Sequence, residues 1–388
     1  MNTDGNIKAH SKVKLTILQR YVPTLIDIVS FSKWSKVKIL DVFCGKGFSS
    51  NGEEGSAIRL FDCLLEKAGN HSKKFELILN DIDQSNTKSV REHIEEKLSN
   101  SKVKNLSVTY VNSDAQTLLE EEIKNSKDMS EFKFLFYDPF NYKATKKSLF
   151  SSFLETGRSE VLIFIPFSNI YRFLKAVRER TWDDEHGLVS YLKENLGDAH
   201  KIFQEEVSDN EFLKALEESY SVNNFKSTSL FIQEKSNKYA LIFLTKSPKG
   251  QEVFLEACYK DLKENEFKAN RIYSLEDNVL TLKVVESVQG QTDLFSQAQT
   301  SLMDDDLGLT EKIFHELRGQ VVSNELLYEY VLSKKLLPKH VKNLIYTMNS
   351  SKRLKIKNTV GAVDSRKKPG LFLSYNPDKK VMYDFYDD

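Results

Sequence analysis

Apolar residues recur at helical spacing from Leu15 to Val29 (Leu15, Leu18, Val22, Leu25, Ile26, Val29), which predicts a helix there despite Pro23. A short apolar run from Val37 to Phe43 follows and ends in a turn with two glycines. The pattern then alternates. Helical periods cover Ser56 to Ala68, the highly charged Gln84 to Lys97, and Ala115 to Ile123. Strand-like runs cover Phe75 to Asn80, Leu106 to Val111 and Phe132 to Tyr137, with two more at Glu160 to Pro166 and Tyr239 to Thr245. Strands of four to seven residues separated by helices predict a parallel sheet covered on both faces. Right-handed crossovers then make a doubly wound α/β domain the expected architecture.

Residues 168–236 are long for one crossover and contain several charged helical stretches, so they read as an insertion at one edge or at the mouth of the site. From Glu286 to Asp306 the periodicity dissolves into Gln, Ser, Thr and Asp, as in a linker. Three short helical segments follow (Leu309 to Leu317, Asn324 to Leu332, Lys339 to Met348). Two strand-like runs, Leu354 to Lys357 and Gly370 to Tyr375, flank a basic loop. That order predicts a winged helix-turn-helix. The expected organisation is a Rossmann-like domain over 1–285, a polar linker over 286–306 and a basic domain over 307–388.

The charge count sharpens this division. The 388 residues carry 56 Lys plus Arg and 56 Asp plus Glu, a net charge of zero. From Lys334 to Lys380, however, 13 Lys or Arg stand against two Asp, a balance of +11, and the last eight residues add three Asp. Residues 1–333 therefore carry −8, and the zero is a cancellation between an acidic body and a basic C-terminal unit. At 40% apolar, with 15 Gly and 7 Pro, the chain is neither disordered nor collagen-like. It holds no apolar run of membrane-spanning length and opens with a polar segment, so a cytoplasmic location is expected. Cys44, Cys63 and Cys258 are isolated, which fits a reducing compartment, and no histidine spacing suggests a metal site.

Candidate chemistry gathers at the strand ends, where open parallel sheets bind ligands. Asp41-Val-Phe-Cys-Gly-Lys-Gly47 places a carboxylate at the first strand end and Gly45 and Gly47 in the turn, where glycine lets backbone approach a ligand. Asn80-Asp81-Ile82-Asp83 follows the second strand, at the distance where Asp81 or Asp83 reaches ribose hydroxyls. Asp114 follows the third, placed to meet an adenine amino group. Each acid alone also suits a helix cap. The fourth strand ends Asp138-Pro139-Phe140-Asn141-Tyr142, in which a carboxylate accepts from an exocyclic amine and an aromatic ring stacks on a base. No phosphate-binding Gly-x-x-x-x-Gly-Lys-Ser/Thr loop is present, which speaks against an NTPase.

Together these motifs resemble the three-Cys-motif partner proteins (TcmP). The resemblance runs from His10-Ser-Lys-Val-Lys14 through the Asp41 turn, Asn51-Gly-Glu-Glu-Gly-Ser56, Asp138-Pro139-Phe140, Pro166 with Arg172, and Lys249-Gly250, covering roughly residues 8–265. It implies a class I methyltransferase fold similar to the enzymes that methylate adenine N6 in large-subunit ribosomal RNA. It also implies S-adenosylmethionine as cofactor and a radical-SAM-like three-Cys protein as partner. His10 and Lys14 would border the cofactor or substrate, while Asp41, Phe43, Gly45 and Gly47 would shape the methionine side. Asp138 would orient a target amine, with Phe140 or Tyr142 stacking on the base. The chain departs from the amino-methyltransferase signature Asp-Pro-Pro-Tyr, having Asp138-Pro139-Phe140-Asn141. That leaves a second reading, a catalytically altered nucleic-acid adaptor or a DNA-repair or defence accessory protein.

The basic unit supplies candidate phosphate contacts. These are Lys339, His340 and Lys342 on the third helix, then Lys352, Arg353, Lys355 and Lys357, and Arg366, Lys367 and Lys368 at the expected wing tip. In the linker, Gln291-Thr-Asp-Leu-Phe295 resembles the short peptide that docks on a bacterial sliding clamp, presenting two apolar anchors.

Overall fold

A computed structural model describes residues 6–126, 130–180, 187–221, 224–260, 262–264, 267–274, 276–286, 306–360 and 380–386. The linker peptide Gln291–Phe295, the basic residues Arg366, Lys367 and Lys368, and the strand expected over 370–375 lie outside them. The chain divides into two compact units, residues 1–270 with 281–289, and residues 271–280 with 290–388.

The first unit opens with α1 (Ala9–Ser30), β1 (Lys36–Asp41), α2 (Ser56–Asn70), β2 (Lys74–Asn80), α3 (Gln84–Ser99), β3 (Leu106–Val111), α4 (Ala115–Asn125) and β4 (Glu131–Tyr137). It continues with α5 (Lys147–Glu155), β5 (Arg158–Ile165), α6 (Phe167–Arg180), α7 (Gly187–Leu196), α8 (Asp209–Tyr220), β6 (Lys226–Glu234), β7 (Asn237–Thr245) and α9 (Pro248–Tyr259). Strands β8 (Leu262–Glu264), β9 (Phe267–Ser274) and β10 (Val279–Glu286) complete a ten-stranded sheet of order β3-β2-β1-β4-β5-β7-β6-β10-β9-β8. Strands β1 to β5 are parallel, and the order reverses between β1 and β4, so the doubly wound Rossmann-like fold expected from the alternation is the one observed.

Two features depart from the sequence reading. The stretch 168–236 is helical only as far as Tyr220, since its end is β6, a full strand of the sheet. Its polar opening, Lys226-Ser-Thr-Ser, hides it from an apolar-run criterion, yet Ser227, Thr228 and Ser229 are all buried. In addition, β7 runs antiparallel to both neighbours. The physical reason is the two-residue link between β6 and β7, which suits a hairpin and is far too short for a parallel crossover.

Helix α1 continues through Pro23, although an interior proline forfeits a backbone hydrogen bond and costs about 3 kcal/mol. Burial of Val13, Ile17, Leu18, Tyr21, Val22, Leu25, Ile26 and Val29 offsets that loss, each such side chain contributing roughly 1.5–3 kcal/mol. The same helix delivers Tyr21 to Glu160 of β5. The Glu160 carboxylate is fully buried, accepts from the Tyr21 hydroxyl and from Thr245 Oγ1 at 2.7 Å, and burial pushes its carboxyl up to about 7. It lines a cavity at the amino ends of β4 and β5 with Trp34, Phe132 and Val253, at the opposite end of the sheet from the acids discussed below. Gly250 is what admits it, because a Cβ there would lie 2.1 Å from Glu160 Oε1 and 2.9 Å from Thr245 Oγ1. Gly250→Ala is expected to lower stability by roughly 1–3 kcal/mol through overpacking, read as a lower urea midpoint at unchanged slope.

The second unit contains α10 (Asp306–Leu317), β11 (Val321–Ser323), α11 (Asn324–Ser333), α12 (Pro338–Ser350), β12 (Leu354–Val360) and β13 (Lys380–Phe385). The strands form an antiparallel sheet of order β11-β13-β12. Its core includes Ile313, Leu327, Val331, Val341, Ile345, Met348, Val381 and Tyr383. The short β11 was not legible as a strand, since three residues give no period.

Candidate functional site

Sheet register brings the acids together. Asp41, the last residue of β1, aligns with Leu79 of β2 and Phe136 of β4, so Asp81 and Asp138 each follow two residues beyond at the same end of the sheet. Asn80, missed as a functional residue in the sequence, ties that end. Its amide donates to the carbonyls of Val42 (3.0 Å) and Ser113 (3.1 Å), and its Oδ1 accepts from Ser113 N–H. Asn80 was adjacent to a motif, but only the three-strand geometry reveals the clamp.

The glycine turn follows β1. Gly45 and Gly47 have φ of +60° and +81°, in the left-handed region that favours glycine. A Cβ at Gly45 would meet nothing within 4 Å, whereas one at Gly47 would press Val90 and Ile58 at 2.9 and 3.2 Å. Gly47 therefore permits packing against the helices, and Gly45 leaves open space above the turn. Asp81 Oδ2 accepts from Gly45 N–H at 3.0 Å and its Oδ1 from Asp83 N–H at 2.9 Å, which holds the turn in place.

Asp41 is fully buried. One oxygen accepts weakly from Phe43 N–H at 3.4 Å, while Oδ2 has no hydrogen-bond partner. Burial pushes the Asp41 carboxyl up to about 7, with the charge of Asp138 adding to it and the Ser56 hydroxyl, the Phe43 N–H and the Lys14 charge working against it. A buried oxygen without a partner costs on the order of 1–3 kcal/mol, which a donor arriving at Oδ2 would recover. Phe43 packs edge-on against Tyr137, with ring centroids 4.9 Å apart. Asp83 and Asp114 stand in exposed positions and cap α3 and α4, accepting from Ser85 N–H and from Gln116 and Thr117 N–H respectively. The hydrogen bonds from Ser85 hold Asp83 below the usual carboxylate range.

Asp138 follows β4 and is ion-paired with the Lys14 ammonium from α1. Lys14 is buried and lies 4.2 Å over the Phe164 ring. One turn earlier, His10 is buried, pairs through Nδ1 with Glu234, and stacks on Tyr239 with centroids 3.8 Å apart. Burial lowers its pKa below the ordinary imidazole value. Of the expected pair, Lys14 thus meets Asp138, while His10 is received by Glu234, Tyr239 and Phe164 from distant strands with no local signature.

Within Asp138-Pro139-Phe140-Asn141-Tyr142 the two aromatics separate. Phe140 is 89% exposed, while Tyr142 is buried edge-on against Tyr191. Asn141 caps a single 3-10 turn by accepting from Lys143 N–H. Beside them lies a cleft of about 500 Å³ lined by Phe140, Asn141, Lys143, Pro166, Asn169 and Phe173. Phe173, 51% exposed on α6, was not singled out by sequence, since one aromatic among charged neighbours reads as any helical position.

No family model and no curated protein matches the chain. Solved structures do. An O-methyltransferase from Bacillus cereus in complex with SAH is 11% identical, over 63% of this chain and 84% of that one, at TM-score 0.32. Trm1 from Pyrococcus horikoshii with S-adenosyl-L-methionine is 12% identical, over 97% and 93%, at 0.34. Protein LPL1258 from Legionella pneumophila is 10% identical, over 66% and 92%, at 0.37. At such scores these likenesses add nothing to the topology. The strand order itself shows the doubly wound, Rossmann-like domain.

In the second unit the expected basic contacts also sort themselves. Lys339, Lys342, Lys352 and Lys355 are exposed. Arg353 instead forks onto Glu311 at 2.6 and 2.8 Å and lies 3.8 Å from the Phe314 ring centroid. Its fork is therefore engaged within the unit. His340 is half-buried and hydrogen-bonded through Nδ1 to Leu337 N–H. Lys357 lies on β12. Among the described residues no helix is long and apolar enough to cross a membrane.

Proposed function

We propose that the chain is an S-adenosylmethionine-dependent methyltransferase acting on a base amino group in nucleic acid. The observation that carries this reading is the Asp138 lip. There a carboxylate already holds an amine, the Lys14 ammonium, beside an aromatic ring that is 89% exposed. Asp41 Oδ2, buried without a partner next to the open turn at Gly45, fits the ammonium of the cofactor's methionine part. Asp81 holds the turn from below, and Asp83 and Asp114 stand at the ribose and adenine positions with outer lone pairs to spare. Once bound, the cofactor supplies an already activated methyl group, so this chain's task is positioning. Asp138 accepts a hydrogen bond from the target amine and turns its lone pair outward, and Phe140 stacks on the extruded base.

Tritium transfer from labelled S-adenosylmethionine to total RNA and to genomic DNA tests this reading, and no transfer to either with the wild-type chain overturns it. Phe140→Ala is expected to leave stability within about 0.5 kcal/mol, since the ring is exposed. It should weaken substrate use by roughly 1–3 kcal/mol, the worth of one stacked base, seen mainly in KM.

A second reading, an adaptor without catalysis, draws on the same ion pair, because Lys14 already fills the carboxylate. Calorimetry with S-adenosylmethionine separates the two, since an adaptor needs no cofactor. The order of helices and strands in the second unit supports a winged helix for nucleic-acid docking. A radical-SAM three-Cys partner and a sliding clamp bound through Gln291–Phe295 complete the proposal. A pull-down in which Leu294→Ala, Phe295→Ala binds clamp as well as wild type removes the latter.

A further inference from the structure

Helix α12 has two unlike faces. Val341, Leu344, Ile345 and Met348 are buried in the core of the second unit. The opposite face carries Lys339, Lys342, Asn343, Tyr346, Asn349 and Ser350, all exposed. At 100° per residue, Lys339, Asn343, Tyr346 and Ser350 fall within a narrow stripe, and the stripe runs about 16 Å at 1.5 Å per residue. Tyr346 leaves 43% of its surface in solvent, an unusual place for a large ring.

The helix contains no carboxylate. Across 334–358 there are eight Lys or Arg and not one Asp or Glu. Of these, Lys334 is spent on Glu316 and Arg353 on Glu311, and Lys335 is buried. The remaining exposed cations sit at the ends of the stripe, Lys339 and Lys342 at its start and Lys352 and Lys355 just beyond its end. The middle of the stripe is occupied by an amide and a phenol. Thr347 and Ser350 turn their hydroxyls back to carbonyls one helical turn earlier, so Asn343 and Tyr346 are the groups that face outward.

We infer that this face of α12 is a reading surface for double-stranded DNA, with Lys339, Lys342, Lys352 and Lys355 on phosphates and Asn343 and Tyr346 at base edges. Cations flanking a neutral polar centre match a groove, whose rims are phosphate and whose floor is bases. A B-form major groove, roughly 12 Å wide, admits a helix, and an asparagine pairs there with adenine through two hydrogen bonds. The major groove of A-form RNA is too narrow and deep for side chains to read, so a stripe carried on a helix selects DNA over duplex RNA. The inference rests on the nucleic-acid part of the proposed function and fixes which duplex docks on the second unit. It does not depend on methyl transfer.

Fluorescence anisotropy of the full chain against a mixed-sequence 30-base-pair DNA, the same sequence as duplex RNA, and the single-stranded DNA tests it. Duplex DNA is expected to bind at least ~10-fold more tightly than duplex RNA. Lys339→Glu with Lys342→Glu should weaken DNA at least ~10-fold and flatten its salt dependence, as lost phosphate contacts do. Asn343→Ala should reduce discrimination between sequences in a binding selection while leaving bulk affinity within ~3-fold. Lys175→Glu with Lys214→Glu, exposed in the first unit, serves as the charge control and should leave binding unchanged. Equal or tighter binding to duplex RNA, or no effect of the paired α12 substitutions in a chain that melts normally, overturns the inference while leaving the nucleic-acid reading intact. No binding to any of the three overturns both.

Discussion

Asp138→Asn is expected to reduce methyl transfer by about 10²–10³-fold while leaving cofactor affinity close to that of the wild type. The substitution keeps the side-chain shape but removes the charge that accepts from an amine. The structure shows that charge at work, since the Lys14 ammonium is the donor it holds. An amide in its place presents a donor as readily as an acceptor, and the target amine loses its orienting partner. The effect belongs in kcat more than in KM, because the hydrogen bond strengthens as the nitrogen becomes positive in the transition state. Asp138→Ala should be as inactive but less stable, because it leaves the buried Lys14 cation unpaired, a loss of about 3–5 kcal/mol in comparable sites. Lys14→Met supplies the complementary measurement. If it restores stability to Asp138→Ala without restoring activity, the carboxylate has a chemical task separate from its ion pair. A fully active Asp138→Asn enzyme removes this carboxylate from the reaction.

How far the sequence could be read depended on how local each determinant was. The alternation of β1 to β4 with α2 to α4 was legible because each element announces itself within six to sixteen residues, whereas the nine-residue α5 was not read. The glycine turn was legible for the same reason, and its two glycines prove to have different tasks, one packing and one leaving space. The alternation of strands and helices led β7 to be read into the parallel sheet, although it runs antiparallel. The information was present in Lys235-Ser236, a connection too short for anything but a hairpin. Asp81, Asp83 and Asp114 looked equivalent as strand-end acids. They differ only by the partner each finds, which is Gly45 N–H across the sheet for Asp81 and its own helix for the other two. Lys14 and Asp138 are 124 residues apart, His10 and Glu234 are 224 apart, and no spacing rule connects such pairs. Phe140 and Tyr142 were interchangeable on paper. A 3-10 turn that begins at Tyr142 accompanies the burial of that ring, while Phe140, before the turn, stays exposed.

The second large effect concerns Asp41 and is a matter of protons. Its folded carboxyl is raised to about 7 from an ordinary value of 3.8. A raised acid stabilises the fold fully below its unfolded value and loses that contribution as pH climbs through the folded one. Between pH 4 and 8 the chain without cofactor is therefore expected to lose stability at this position, by about 4 kcal/mol at most. Asp41→Asn has no such proton, so its stability relative to wild type should rise over the same window, measured by urea unfolding at pH 5 and pH 8. Cofactor binding should behave in the opposite sense. An ammonium arriving at Oδ2 favours the charged carboxylate, so binding at pH 6 should release a proton and tighten as pH rises toward 8. Calorimetry in two buffers of different ionisation enthalpy reads that proton directly. In Asp41→Asn the release should vanish and affinity fall by at least ~10-fold, because a charged hydrogen bond worth roughly 1.5–3 kcal/mol is gone. Wild-type binding without proton release, together with unchanged affinity in Asp41→Asn, would place the cofactor's amine elsewhere. A more stable protein that binds less well is the combination to look for, since a merely structural carboxylate would improve or lose both together.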